Sequence, residues 1–292
     1  MKIDRIYIAG HKLDLHFTQC CIASIRRWYP HIPITLIKDE SCGSYSTEDL
    51  EHYSNVDCFK TPRKLLGFGF GKLEALFLPT KERCLILDSD IVFVGKVLEV
   101  LEQHDEDFIV ADAPSPPAEV PLHYFDIARL NELDPMFKFS GFTFNSGQIV
   151  ATTGLLKRAD FEPVVNFSEP PTLRYPGTFA PGEQGILNYV LFKKLQEGKI
   201  SLRRVSFMWW AGWLDEKTVK TKKLTNSSPY PMLVHWAGFD QNASFDAIRN
   251  GHLLRHFESY YKSRITNHET GEKSGPMRRI VRFTADLLGK RG

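Results

Sequence analysis

The chain has few cysteines, five in 292 residues, and these (Cys20, Cys21, Cys42, Cys58 and Cys84) form no C-x-x-C pair. An odd, unpaired set argues against a disulfide framework or a zinc ribbon and fits a reducing compartment. No uncharged apolar run approaches the ~20 residues that a bilayer crossing needs. The opening "MKIDRIYIAG" lacks the apolar core of a signal peptide. Neither charge sign is in excess, since the formal net charge is +2. There is no internal repeat and no low-complexity tract. A soluble, cytoplasmic protein is the expectation, with 42% hydrophobic residues and enough length for a substantial core.

"RIYIAG" reads as a strand, "LHFTQCCIASIRRWYP" as an amphipathic helix stopped at Pro30, and "IPITLIKD" as a second strand. That is a βαβ opening, which implies a parallel sheet. A helix over "GKLEALFLP", a strand over "CLILDSDIVFVG", a short helix over "VLEVLEQ" and a strand over "DFIVADA" follow. Residues Pro114 to Phe139 are proline-rich and read as an irregular functional loop. "GFTFNSGQIVATTG" alternates like a strand, "GEQGILNYVLFKKLQ" is helical, "MLVHWAG" is strand-like, and a helix is expected from about Ser244 to Tyr261. The fold class is therefore α/β: a Rossmann-like mixed central sheet flanked by helices. A nucleotide-binding half (about 1–112) and a sugar and acceptor half (about 140–262) would share one continuous sheet in a single domain of residues 1–265.

Two carboxylates, Asp88 and Asp90, interrupt an apolar run that otherwise fits a central strand covered on both faces. Side chains two apart on a strand point the same way, so their charges would crowd unless a cation lies between them. In open α/β sheets ligands sit at the carboxyl ends of strands, and paired carboxylates there can hold a divalent ion and, through it, a diphosphate. A strand that ends in solvated aspartates has the same spelling. His235, in "LVHWAG", closes another strand-like run; with the aspartates it makes a mixed N/O set suited to Mn2+ or Mg2+. By itself it would read as a structural hydrogen-bonder. Lys72 opens a helix after "GFGFG", where ammonium and backbone amides together suit phosphate or sugar oxygens; a solvated first-turn lysine is the plainer reading. "FNSG" (Phe144 to Gly147) and "GEQG" (Gly182 to Gly185) place amide, hydroxyl and carboxylate groups beside glycines, as sugar hydroxyls require. Glu183 and Gln184 also match an ordinary helix first turn.

In their order, Lys72-Leu73, "LILDSDIVF", "FNSG", "GEQGILN" and "VHWAG" resemble the retaining GT-A glycosyltransferases of family 8, which include glycogenin and bacterial lipopolysaccharide galactosyl- and glucosyltransferases. The resemblance runs from the first strand to about Gly238. It implies a nucleotide-sugar donor, usually UDP-linked, bound with Mn2+ (or Mg2+). Asp88, Asp90 and His235 would be the metal ligands. Lys72, Asp88, Ser89, Gly238 and the end of the first strand (Ala9 and Gly10) would hold the donor. Asn145, Glu183 and Gln184 would surround the transferred sugar, Gln184 nearest its reacting face. Two departures stand out. Glu183 occupies a place where the family usually has Asp, and "FDQNAS" follows Gly238 where a diphosphate-holding lysine is usual.

Trp209, Trp210 and Trp213 in "FMWWAGWLD" can form a stacking platform for an acceptor, or pack into the core. From Met277 onward the tail carries five cationic residues against Asp286 on an amphipathic pattern, in a segment 266–292 set apart from the catalytic domain. That fits a peripheral membrane contact and a lipid-linked acceptor, or a final helix with a solvated basic face. No nucleic-acid reader motif accompanies it. The expected activity is transfer of a sugar to a glycan or glycolipid, in surface polysaccharide synthesis. Sugar nucleotidyltransferases carry a glycine-rich basic signature after the first strand, which "IAGHKLDLHF" matches poorly, and haloacid dehalogenase phosphatases place D-x-D after their first strand. A non-catalytic sugar binder on the same fold would have no need of the metal set.

Overall fold

In a computed structural model that describes residues 1–67 and 69–269, twelve strands are assigned. Seven form the main sheet: β1 (Arg5–His11), β2 (Ile34–Asp39), β3 (Val56–Cys58), β4 (Arg83–Asp88), β6 (Phe108–Ala111), β7 (Gln148–Thr152) and β10 (Leu202–Val205), in the order β10-β6-β7-β4-β1-β2-β3. β7 runs antiparallel to both neighbours, and the other pairings in that sheet are parallel. A second sheet has three strands, β5 (Ile91–Phe93), β11 (Met208–Trp210) and β12 (Leu233–His235), ordered β11-β12-β5. The remaining pair, β8 (Val165–Asn166) and β9 (Thr172–Leu173), is a small hairpin.

The apolar run around the aspartates has its explanation in coverage on both faces. Ile6, Ile8, Leu85 and Leu87 enter one buried cluster with the helix Leu15–Trp28 and the C-terminal helix Gly251–Glu269. Tyr7, Cys84 and Ile86, which alternate with them, enter the other, together with the helix Gln184–Gln196. Buried Arg26 closes off the far end of the first helix by donating to the carbonyls of Ser54, Asn55 and Ile32.

Several expectations are corrected. The two halves do share the seven-stranded sheet, through β7 and β10, but the run read as one strand over "CLILDSDIVFVG" is split between two sheets. β4 stops at Asp88, a turn occupies Ser89 and Asp90, and β5 then pairs with β12 in the second sheet. Asp88 therefore ends the main-sheet strand, and Asp90 lies in the turn that leads to the second sheet. The stretch before β7 is not a strand, because residues 140–147 form a loop whose backbone bonds to side chains. Two short helices, Val120–His123 and Ile127–Leu133, lie within the segment read as irregular, the second capped by Asp126. The last helix starts at Gly251 rather than Ser244; Ser244 instead caps a 3-10 turn over Phe245–Ala247. That helix runs on to Glu269, past the boundary drawn at 265, and the rest of the basic tail lies outside the described residues. No helix of the described residues is long and apolar enough to cross a membrane.

Candidate metal and donor site

β1 has β2 on one side and β4 on the other, so the chain changes direction between β1 and β4. That switch point is where α/β sheets open a crevice at their carboxyl ends. Ala9 pairs directly with Asp88 across it. A cavity of about 800 Å3 lies there. It is lined by the residues expected to hold the metal, the donor and the transferred sugar (Ala9, Gly10, Lys72, Asp88, Ser89, Asp90, Asn145, Glu183, Gln184, His235 and Gly238) and by Trp210 and Trp213, but not by Trp209.

Asp88, Asp90 and His235 each offer a donor atom within 4.8 Å of the others. His235 arrives from the second sheet, paired with Ile91 on one side and Trp210 on the other, while the Asp90 carbonyl accepts from the Trp236 amide. His235 Nε2 is 3.1 Å from Asp90 Oδ1 and 4.0 Å from Asp88 Oδ2. The closer contact is off the alignment of a hydrogen bond, and Asp90 Oδ1 is buried without a donor. Burial works to raise the Asp90 carboxyl, but the neighbouring His235 and Lys72 outweigh it and hold the group below the usual range. A buried anionic oxygen without a hydrogen bond, aimed with a second carboxylate and an imidazole at one point, fits a hard or borderline divalent cation. The imidazole is positioned by packing, since its Nδ1 is buried without a hydrogen-bond partner. Trp210 stacks on it at 5.2 Å and 25°. Gly147 leaves the opposing room: a Cβ there would lie 2.4 Å from His235 Cε1 and 2.7 Å from Asp88 Oδ2.

Lys72 is not the solvated first-turn lysine of its plainer reading, and it lines the cavity. Its ammonium is buried, not solvated, and lies 2.7 Å from Asp88 Oδ1, 2.7 Å from Glu183 Oε1 and 3.2 Å from the Ser146 carbonyl. Burial works to lower its pKa, but Asp88 and Glu183 overcome this and raise it above the ordinary lysine value. Its own amide and that of Leu73 donate to the Gly69 and Phe70 carbonyls, so they are not free for a phosphate. Glu183 folds back on this lysine, accepts from Ser146 Oγ at 2.7 Å, and fills the space above Gly69, where a Cβ would sit 1.6 Å from its Oε2. The amide oxygen of Gln184 accepts from Asn145 Nδ2 at 2.9 Å and the Ser146 amide at 3.1 Å, while its nitrogen donates to the His123 carbonyl.

Sequence reasoning missed three residues. Asn188, fully buried, accepts from the Phe144 amide and donates to the carbonyls of Phe144 and Gln184, which pins the "FNSG" loop to its helix. Its one signal was an amide inside an otherwise apolar helical stretch. Asp14 accepts from Ser89 Oγ and from the His11 amide, which fixes the turn between the aspartates. Burial pushes its carboxyl up to about 6, against the pull of His11 and Ser89. His11 lines the cavity beside it, and the pair could have been found from their place at and just after the carboxyl end of the first strand. Among the described residues no cation takes the place of the missing lysine. Arg249 bonds to the Leu214 carbonyl, and Lys72 is the cavity's single lysine or arginine.

No protein-family model and no curated protein sequence matches the chain. Solved structures do. Over 95% of this chain, the apo form of the glycosyltransferase GlyE of Streptococcus pneumoniae superposes with a TM-score of 0.54 at 15% identity. The galactosyltransferase LgtC, solved with donor and acceptor sugar analogues, matches 89% of this chain and 95% of its own, with a TM-score of 0.53 at 15% identity. The chain has the GT-A glycosyltransferase fold. The bifunctional glycosyltransferase WbbM matches at a TM-score of 0.55 and 13% identity. The GT-A chain described here spans 66% of GlyE and 52% of WbbM.

Proposed function

We propose that this chain is a metal-dependent glycosyltransferase that moves a sugar from a nucleotide-sugar donor, of the UDP type, to a glycan or glycolipid acceptor. The observation that carries the reading is the buried Asp90 Oδ1, which accepts no aligned hydrogen bond and faces His235 Nε2 at 3.1 Å, converging with Asp88 and His235 at the switch point of a GT-A fold. Those three residues hold the ion, Mn2+ or Mg2+, and the ion when bound supplies the positive charge that a departing diphosphate requires. Ala9, Gly10, Ser89 and Gly238 shape the surrounding wall, and Gly238, at φ +77°, turns the chain away after the metal-binding histidine.

Retention of configuration is proposed on the sequence resemblance to the family 8 enzymes. Gln184 Oε1 already accepts two hydrogen bonds and Glu183 Oε1 is held by Lys72 and Ser146. Neither is presented as a free covalent nucleophile, so the retention that the family 8 resemblance implies would have to come from attack by the acceptor hydroxyl on the face from which the leaving group departs, without a covalent intermediate. Asn145 lines the cavity with its amide fixed by Gln184 and by the Gly147 amide, and its second N–H and second lone pair are the groups proposed to meet sugar hydroxyls. A role in bacterial surface polysaccharide or lipopolysaccharide synthesis, with the chain working at the cytoplasmic face of the membrane, completes the proposal. Incubation with a panel of UDP-, GDP- and CMP-sugars, with Mn2+ or with chelator, tests it. Nucleotide should be released from one UDP-sugar with Mn2+ and not with chelator. Release that is indifferent to chelator, or from no sugar nucleotide in the panel, would sink the reading.

A further inference from the structure

Trp213 is 76% exposed, yet it lines the same cavity as the metal ligands. Its two tryptophan neighbours are otherwise engaged: Trp209 packs edge-on against Tyr230, and Trp210 stacks on His235. Trp213 extends that stack outward, edge-on to Trp210 at a centroid distance of 6.1 Å. Its backbone is fixed in a turn, since its amide and that of Leu214 both donate to the Trp210 carbonyl. The indole is thus held at the mouth of the site with a large area uncovered. Leu122, 68% exposed, lines the same cavity from the short helix Val120–His123. Apolar surface of this kind, left open beside polar groups in a cavity, marks a ligand subsite.

The charge of the cavity narrows the ligand. Asp14, Asp39, Asp88, Asp90, Glu119 and Glu183 line it, against Lys72 as the single lysine or arginine. A divalent ion and a donor diphosphate largely cancel each other, so the wall facing any further ligand remains anionic. A phosphorylated or polyanionic acceptor would meet repulsion there without a cation to pair with. A neutral pyranose would not, and its C–H face suits an indole ring.

We infer that Trp213 is the platform on which the acceptor's sugar ring stacks, and that this acceptor is a neutral glycan. The assignment of that ring to the acceptor rests on the transferase reading above. Two ring-to-ring steps, of 5.2 and 6.1 Å, separate Trp213 from His235, so a ring stacked on it can direct a hydroxyl, its own or that of the next unit, toward the metal cluster.

The test is 15N indole NMR on the full chain with UDP and Mn2+ present. The chain has five tryptophans, and the Trp213 signal is identified by its loss in Trp213→Phe. Lactose, cellobiose and maltose are titrated in turn, with glucose 6-phosphate as the anionic comparison. At least one neutral disaccharide should shift the Trp213 signal. Trp213→Ala should weaken that sugar's binding at least tenfold while UDP affinity changes less than twofold, and Trp213→Phe should keep most of it. The inference is overturned if no disaccharide shifts the signal, if Trp213→Ala binds the sugar as well as wild type, or if glucose 6-phosphate binds more tightly than the neutral sugars. Sugar binding at Trp213 without any Mn2+-dependent UDP binding would remove the transferase reading and leave the sugar platform standing. UDP binding without a sugar response does the reverse.

Discussion

The Lys72 ammonium lies 2.7 Å from an Asp88 carboxylate oxygen, so one carboxylate of the candidate metal site is already paired with a buried cation. Glu183, at the same distance, completes the arrangement. Lys72 and Glu183 are both almost fully buried, where removing one partner of a charge pair typically costs about 3–5 kcal/mol. Lys72→Met should destabilise by that amount in denaturant unfolding. The double variant Lys72→Met with Glu183→Gln should recover much of it. Equal stability for the single and double variants would show that the pair is not energetically coupled.

Gly147 faces the site with its missing side chain. Its replacement by Ala would place a methyl 2.4 Å from the His235 ring and 2.7 Å from Asn145 Oδ1 and Asp88 Oδ2. The imidazole and the carboxylate cannot both stay in register with that methyl present. Gly147→Ala should lower Mn2+-dependent nucleotide affinity at least tenfold in calorimetric titration. Unchanged affinity would mean that the ligands converge less tightly than described.

Asn188 supplies three hydrogen bonds to backbone groups of Phe144 and Gln184. Asn188→Ala leaves buried backbone donors and acceptors unmatched, a loss on the order of 2–4 kcal/mol. The "FNSG" loop should then open locally, seen as faster amide hydrogen exchange at Phe144 to Gly147. Wild-type exchange rates there would argue against Asn188 as the pin.

Asp14 makes stability depend on pH with a definite sign. Its folded pKa of about 6 lies above the unfolded value of about 3.9. The folded state therefore holds this proton more tightly, and the contribution is fully present below about pH 4 and lost as pH rises through 6. Asp14→Asn should abolish that fall and gain on the order of 3 kcal/mol over wild type between pH 4 and pH 7. If the difference in stability between the two proteins does not change with pH, the carboxyl is not raised.

Much of this architecture could be read from residue pattern. The alternation of Ile6, Tyr7 and Ile8, and of Leu85, Ile86 and Leu87, marks strands buried on both faces, and those strands bring Ala9 and Asp88 side by side. Glycines beside Asn145 and Gln184 marked close approaches of backbone to the site. What could not be read was long-range pairing. Nothing local in "DSDIVF" says that β5 leaves the main sheet to pair with β12, because periodicity reports burial and not partner. The burial of Lys72 was hidden for the same reason. Its partners Asp88 and Glu183 lie far along the chain, and a lysine after glycines looks solvated until the fold closes over it. Asp14 was passed over because one acid at a helix start is common.

The central claim is that Asp88, Asp90 and His235 bind a divalent ion through which a nucleotide diphosphate is held. Thermal unfolding of wild type and Asp90→Ala, with UDP, with Mn2+ and with both, tests it most directly. At about 100 times its dissociation constant a ligand adds about 2.7 kcal/mol, a shift of several degrees. The account predicts a shift for UDP with Mn2+ that far exceeds either alone and is absent in Asp90→Ala. A UDP shift of equal size without Mn2+, or one that survives Asp90→Ala, would contradict it.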